Sequence, residues 1–166
     1  MRRRHALLGV AGLLLLGNAR AQGVGRVTVG PGGEVMFVVG GAALMPRKNS
    51  NLELLEDGFR LVSGAVLAVF GAGQRRELRT PTATIGIRGT AVYLETQRTH
   101  TYVCTCYGET VLRPAEDAAA SEMVRAQRHD QPRHVGGRGA PQRVASATPL
   151  NHSDADLERL ERLLRG

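Results

Sequence analysis

Two cysteines, Cys104 and Cys106, carry the most chemical content in this 166-residue chain. They flank Thr105, and in a strand such alternate residues project to one face, with Cα atoms about 6.5–7 Å apart at roughly 3.3 Å per residue. That separation is at the edge of disulfide reach, and parallel side-chain directions would strain the bridge. Three states fit the pair: burial as small hydrophobes, an oxidised pair or mixed disulfide, and metal ligation. The run His129-Asp130-Gln131-Pro132-Arg133-His134 has turn residues at its centre. Closed as a hairpin with a four-residue loop, it would set His129 opposite His134 with Cβ atoms about 5 Å apart. Cys104, Cys106, His129 and His134 would then offer the four N/S ligands of a closed zinc site, with His100 and His152 as further candidates. The spacing is not a standard zinc pattern, so burial is the simplest state and no cofactor is required.

Catalytic signatures are absent from the sequence. It contains no Gly-x-Ser-x-Gly elbow, no His-Glu-x-x-His and no phosphate loop. Acidic residues are scattered through turns and the terminal segment, so spacing nominates no carboxylate pair. The expected function is therefore non-catalytic.

The thiols must be positioned by strands. Ala83, Ile85 and Ile87 alternate with Thr82, Thr84, Gly86 and Arg88, the period of a half-buried strand. Ala91 to Leu94 is apolar on both faces, and Gly86 and Gly89 inside the pattern suggest a bulge or corner. Glu95 to Thr99 reads as a polar tip. Tyr102, Cys104 and Cys106 fall on one face of a second strand that ends at Gly108, giving a hairpin or one coil of a solenoid. Upstream, glycine-punctuated apolar runs (27–29, 34–39, 42–45, 52–55, 59–62 and 65–70) predict further short strands. With 21 glycines, no Trp and 4% aromatics, the core must be Val, Leu, Ile and Ala in a turn-rich β architecture.

Ala115 to Arg128 is ambiguous between helix and strand, and Arg133 to Ala147, rich in Gly, Arg, Pro and Ser, reads as loop. Asn151 to Arg165 is the clearest helix. Ser153 is its N-cap, acids come first and arginines last, and Leu157, Leu160, Leu163 and Leu164 form one apolar stripe. That stripe is expected to dock on the chain's own β domain, with a partner helix or a homodimer as the other uses.

The run Thr80-Pro81-x-Ala83-x-x-Gly86-x-Arg88-Gly89-Thr90, followed by a polar tip and a second strand reaching Gly108, resembles the FecR domain family. The resemblance covers about residues 33–112. It implies an all-β extracytoplasmic domain, a short-stranded β-sandwich or β-roll, that senses or transmits through protein contacts. It marks Thr80, Pro81, Gly86, Arg88, Gly89, Thr90 and Gly108 as motif residues. The cytoplasmic sigma-factor-binding segment and membrane anchor of the iron-citrate regulator in that family are not visible here, so a stand-alone module is expected.

Residues 1–21 read as a secretory signal peptide. Arg2-Arg3-Arg4 is the basic region, Ala6 to Gly17 the apolar region, and Ala19-Arg20-Ala21 the cleavage site before Gln22. The apolar run is shorter than the ~18 residues of a spanning helix, so no stable membrane span is expected after processing. Both the general and the twin-arginine export routes remain open. Removing Arg2, Arg3, Arg4 and Arg20 lowers the net charge from +7 to +3, which with so few aromatics argues against nucleic acid as a partner. The expected organisation is a leader (1–21), a FecR-like β domain (22–113), an irregular extension (114–150) and a terminal helix (151–166). A periplasmic or secreted interaction or sensing module with an envelope protein partner is the leading expectation. A metal- or thiol-dependent protein and a structural subunit of an envelope assembly are the alternatives.

Overall fold

A computed structural model describes residues 25–166, and the leader expected over 1–21 lies outside them. The chain forms β1 (Gly25–Thr28), β2 (Phe37–Val39), β3 (Ala42–Pro46), β4 (Asn51–Leu55), β5 (Gly58–Ser63) and β6 (Ala65–Phe70). It continues through β7 (Arg75–Arg79), β8 (Ala83–Thr96), β9 (His100–Pro114), β10 (Glu122–Ala126), β11 (Arg133–Gly136) and β12 (Val144–Ser146). One helix, α1 (Asp154–Arg165), follows. This is the expected all-β domain with a C-terminal helix.

The antiparallel hairpin of β8 and β9 is the spine of the sheet. β8 shares its other edge end to end, pairing with β7 through Thr84–Arg88 and with β6 through Ala91–Glu95. β9 does the same, pairing with β10 through Gly108–Leu112 and with β11 through His100–Val103. The pairing is irregular between Arg88 and Val92 but recovers its offset, since Ile87 faces Thr110 and Val92 faces Thr105. Both strands kink there, at Gly89 (φ +56°) and Gly108 (φ +90°). The kink exchanges the faces: Ala83, Ile85 and Ile87 lie in the same core as Val92 and Leu94. An unbroken alternation could not put odd and even residues on one side. Gly108 therefore sits inside the second strand, not at its end as the sequence suggested.

The sheet carries apolar cores on both faces. One gathers Leu44, Leu52, Phe59, Leu61, Leu78, Ile85, Leu94 and Leu112. The other holds Met45, Leu67, Tyr93, Tyr102, Cys104 and Cys106 beneath Leu157 and Leu160 of α1. β6 lies between them and is buried at every residue, which accounts for its unbroken run Ala-Val-Leu-Ala-Val-Phe.

The segment expected to be irregular holds three short strands. Ala118–Ala120 makes a single 3₁₀ turn, Glu122–Ala126 is β10, and the expected loop at 133–147 holds β11 and β12. These residues have weak strand patterns of their own. β10 and β11 pair because the long outer edge of β9 presents a row of backbone donors and acceptors, and β12 pairs in turn with β11.

α1 begins as expected, with the Ser153 hydroxyl accepting the Asp156 N–H at 3.3 Å. Its leucine stripe docks on the chain's own sheet, leaving Leu163 exposed. Arg47 at the end of β3 donates to Asp156 at 2.8 Å, and Arg159 donates to Glu34 at 2.7 Å. Burial pushes the Asp156 carboxyl up, but the Arg47 hydrogen bond and charge, with Ser153, outweigh it and hold the group below its usual value. A depressed carboxyl stabilises the fold above the unfolded carboxylate range, near about 4, and loses that contribution as pH falls through its folded value. Asp156→Asn is expected to lower the thermal midpoint at neutral pH and to flatten its decline at acid pH. Parallel midpoint curves for the two proteins from pH 7 to pH 2 would show that the Arg47 pair contributes nothing.

Candidate metal centre

Cys104 and Cys106 project from β9 into the core under α1, both completely buried and both free thiols. Opposite them the chain leaves the β9 edge between β10 and β11. His129 lies in this excursion with a left-handed backbone (φ +49°), and its N–H donates to the Cys106 carbonyl at 2.9 Å. The excursion is shaped by Asp130, whose carboxylate accepts the backbone N–H groups of Gln127 (3.0 Å) and Arg128 (3.4 Å). His152 arrives from the other side, two residues before α1, with its ring stacked on Tyr93 at a centroid distance of 4.5 Å. One ligand atom from each of Cys104, Cys106, His129 and His152 lies within 4.8 Å of all the others.

Each imidazole has an outer and an inner nitrogen. His129 Nε2 lies 3.1 Å from the Asp154 carboxylate, and His152 Nδ1 lies 2.6 Å from the Leu150 carbonyl. Both partners only accept, so each outer nitrogen carries the proton. The inner nitrogens, His129 Nδ1 and His152 Nε2, are 2.8 Å apart, and His129 Nδ1 is 3.6 Å from Cys104 Sγ. Hydrogen bonding from Cys106 above all, then from the two histidines, holds the Cys104 thiol well below its ordinary pKa despite burial. The same bond to Cys104, with burial, pushes Cys106 up. The arrangement accommodates one thiolate readily and offers two nitrogen lone pairs beside it.

The sequence-predicted set is brought together only in part. Cys104, Cys106 and His129 meet, but His134 stands apart, beside His100 (ring centroids 4.5 Å) and Tyr102 (5.6 Å). The expected 129–134 hairpin does not form. β10 and β11 both run antiparallel to β9, one after the other along the same edge, so His134 pairs with Tyr102 instead of facing His129. Its place in the cluster is taken by His152. Asp154, which orients His129, carried no sequence signal beyond being an acid in a first helical turn.

The motif residues build the scaffold. The Thr80 hydroxyl accepts the Ala83 N–H at 3.0 Å and a bond from Thr101 at 2.9 Å, closing the turn around Pro81. Thr90 is buried, donates to the Tyr107 carbonyl and lies against Gly108. Gly86 faces Val111 on the paired strand, and Arg88 is exposed opposite Glu109.

This architecture has solved counterparts. Two crystal structures, each described as a "putative anti-sigma factor" from Parabacteroides distasonis, superpose on the chain. One matches with a TM-score of 0.61 at 11% identity, over 84% of this chain and 76% of its own. The other matches with a TM-score of 0.59 at 10% identity, over 75% of this chain and 59% of its own. At such identities the likeness is one of fold. By sequence, the chain matches no protein family and no curated protein.

Proposed function

We propose that this chain is a non-catalytic, exported sensing or interaction module of FecR type that works by protein contact. The observation that carries this reading is the shared fold with the two structures described as "putative anti-sigma factor", over 84% of the chain in one case. The Thr80–Thr90 motif supports the FecR assignment, and the signal-peptide pattern read from the sequence of 1–21 supports an envelope location. β2 supplies the contact. Among the described residues it is the last strand on its side of the sheet and pairs only with β3. Val38 on it is 48% exposed, and Val35 and Met36 just before it are exposed as well. An apolar strand with one unpaired edge is a surface onto which a partner strand can add.

A photo-crosslinking amino acid at Val38 in cells is expected to trap one discrete envelope protein. The same probe at Arg125, on exposed β10, is expected to trap none. Intact mass of the exported protein should begin at Gln22. A product retaining Met1 would remove the envelope-soluble assignment, and no Val38 adduct in the processed protein would remove the contact.

A further inference from the structure

We propose that Cys104, Cys106, His129 and His152 form a closed tetrahedral Zn²⁺ site that ties β9 to the 127–131 excursion and to the lead-in of α1. The site goes beyond the interaction reading and stands or falls independently of it.

The convergence of four ligand atoms carries the proposal: one from each of Cys104, Cys106, His129 and His152 lies within 4.8 Å of all the others. The outer imidazole nitrogens are turned to the Asp154 carboxylate and the Leu150 carbonyl, which aims His129 Nδ1 and His152 Nε2 inward, 2.8 Å apart. Cys104 Sγ lies 3.6 Å from His129 Nδ1, and both sulfurs face the space into which the two inner nitrogens project. A divalent ion satisfies all four groups. It takes both nitrogen lone pairs and displaces both thiol protons to solvent, and the two thiolates cancel its charge. Zero net charge suits a largely buried site.

The geometry and ligand types select the ion. Zinc ligands at about 2.0–2.3 Å stand roughly 3.3–3.8 Å from one another in a tetrahedron. The four atoms here lie within 4.8 Å, with His129 Nδ1 3.6 Å from Cys104 Sγ, so small side-chain adjustments close the shell. Two thiolates and two imidazoles exclude calcium and magnesium, which take oxygen, and favour zinc. Four protein ligands leave no open position, so the site is structural. The outer shell is already built: Asp154 on His129 and the Leu150 carbonyl on His152 are the partners that fix imidazole orientation at metal sites. Zinc would also shield two reduced thiols in an oxidising compartment.

The test uses the full exported protein, purified under reducing conditions and stripped with chelator. Zinc titration is expected to reach one ion per chain and to block both thiols from a disulfide reagent. Cobalt(II) should give the intense visible absorption of a tetrahedral site with thiolate charge-transfer bands. His152→Gln and Cys106→Ser should lose the stoichiometric ion, Asp154→Asn should weaken it about 10–100-fold, and His134→Gln should keep it. The wild-type titration and cobalt spectrum stand even where a cysteine variant fails to fold. No zinc uptake at micromolar concentration, a weak octahedral cobalt spectrum, preference for copper(I) with zinc refused, or equal loss in His134→Gln and His152→Gln would each overturn the site.

Discussion

Gly108→Val is expected to leave the protein close to unfolded. A Cβ at this position would lie 2.6 Å from Thr90 Oγ1 and 2.7 Å from Thr90 Cβ, in a backbone with φ +90°. Thr90 cannot move aside, because it is β-branched, fully buried and bonded to the Tyr107 carbonyl. Left-handed strain for a β-branched residue costs about 1–3 kcal/mol, and forced overlap in a packed interior costs about as much again. The sum, on the order of 2–6 kcal/mol, reaches the whole stability of a marginal domain at its upper end. Gly89→Val should cost less, about 1–3 kcal/mol. Its Cβ would meet Gly73 N at 3.1 Å and Ala72 Cα at 3.3 Å, in a loop with more room to yield. Urea unfolding midpoints should rank wild type above Gly89→Val above Gly108→Val. An unchanged midpoint in Gly108→Val would show that the paired kink does not exist.

The same kink explains what the sequence did and did not reveal. Ala83, Ile85 and Ile87 are legible as a strand because only one of their faces is apolar. The blurred phase after Thr90 has two physical causes: the kink exchanges the faces, and Ala91 and Tyr93 serve one core while Val92 and Leu94 serve the other. Local chemistry also made α1 legible, since its cap, charge order and stripe lie within one short segment. β11 was hidden because of its four residues only Val135 is a buried large hydrophobe, and its structure comes from pairing with β9. The cluster was half legible for a related reason. Cys104 and Cys106 share a face by strand period alone, and the His129 N–H bonds to the same strand. His152 reaches them only because α1 docks across the sheet, which no spacing along the chain encodes. The His129–His134 hairpin was a sound local inference defeated by an edge, that of β9, long enough to take both flanking strands.

Leu160→Ala is expected to release the helix and to disturb the thiols without touching them. Leu160 is fully buried, and with Leu157 it is the part of α1 that lies in the core beside Cys104 and Cys106. Truncating a buried leucine costs about 2–5 kcal/mol, set by how far the cavity can collapse. Collapse is limited here, because Tyr93 and Tyr102 on the sheet side are held by hydrogen bonds to Glu95 and from the Leu150 N–H. A helix of 12 residues has little stability of its own, so weakening its anchor favours undocking over local relaxation. Undocking carries Asp154 away from His129, pulls His152 off Tyr93, and opens the cover that Leu157 forms beside Cys106. In chelator-treated protein, Leu160→Ala should therefore lower the urea midpoint and raise the reaction rate of both thiols with a disulfide reagent. Leu163→Ala, at a position 38% exposed on the same helix, should shift stability by no more than about 0.5 kcal/mol and leave the thiol rate unchanged. Equal effects from the two variants, or unaltered thiol reactivity in Leu160→Ala, would mean that the helix does not close this face of the sheet.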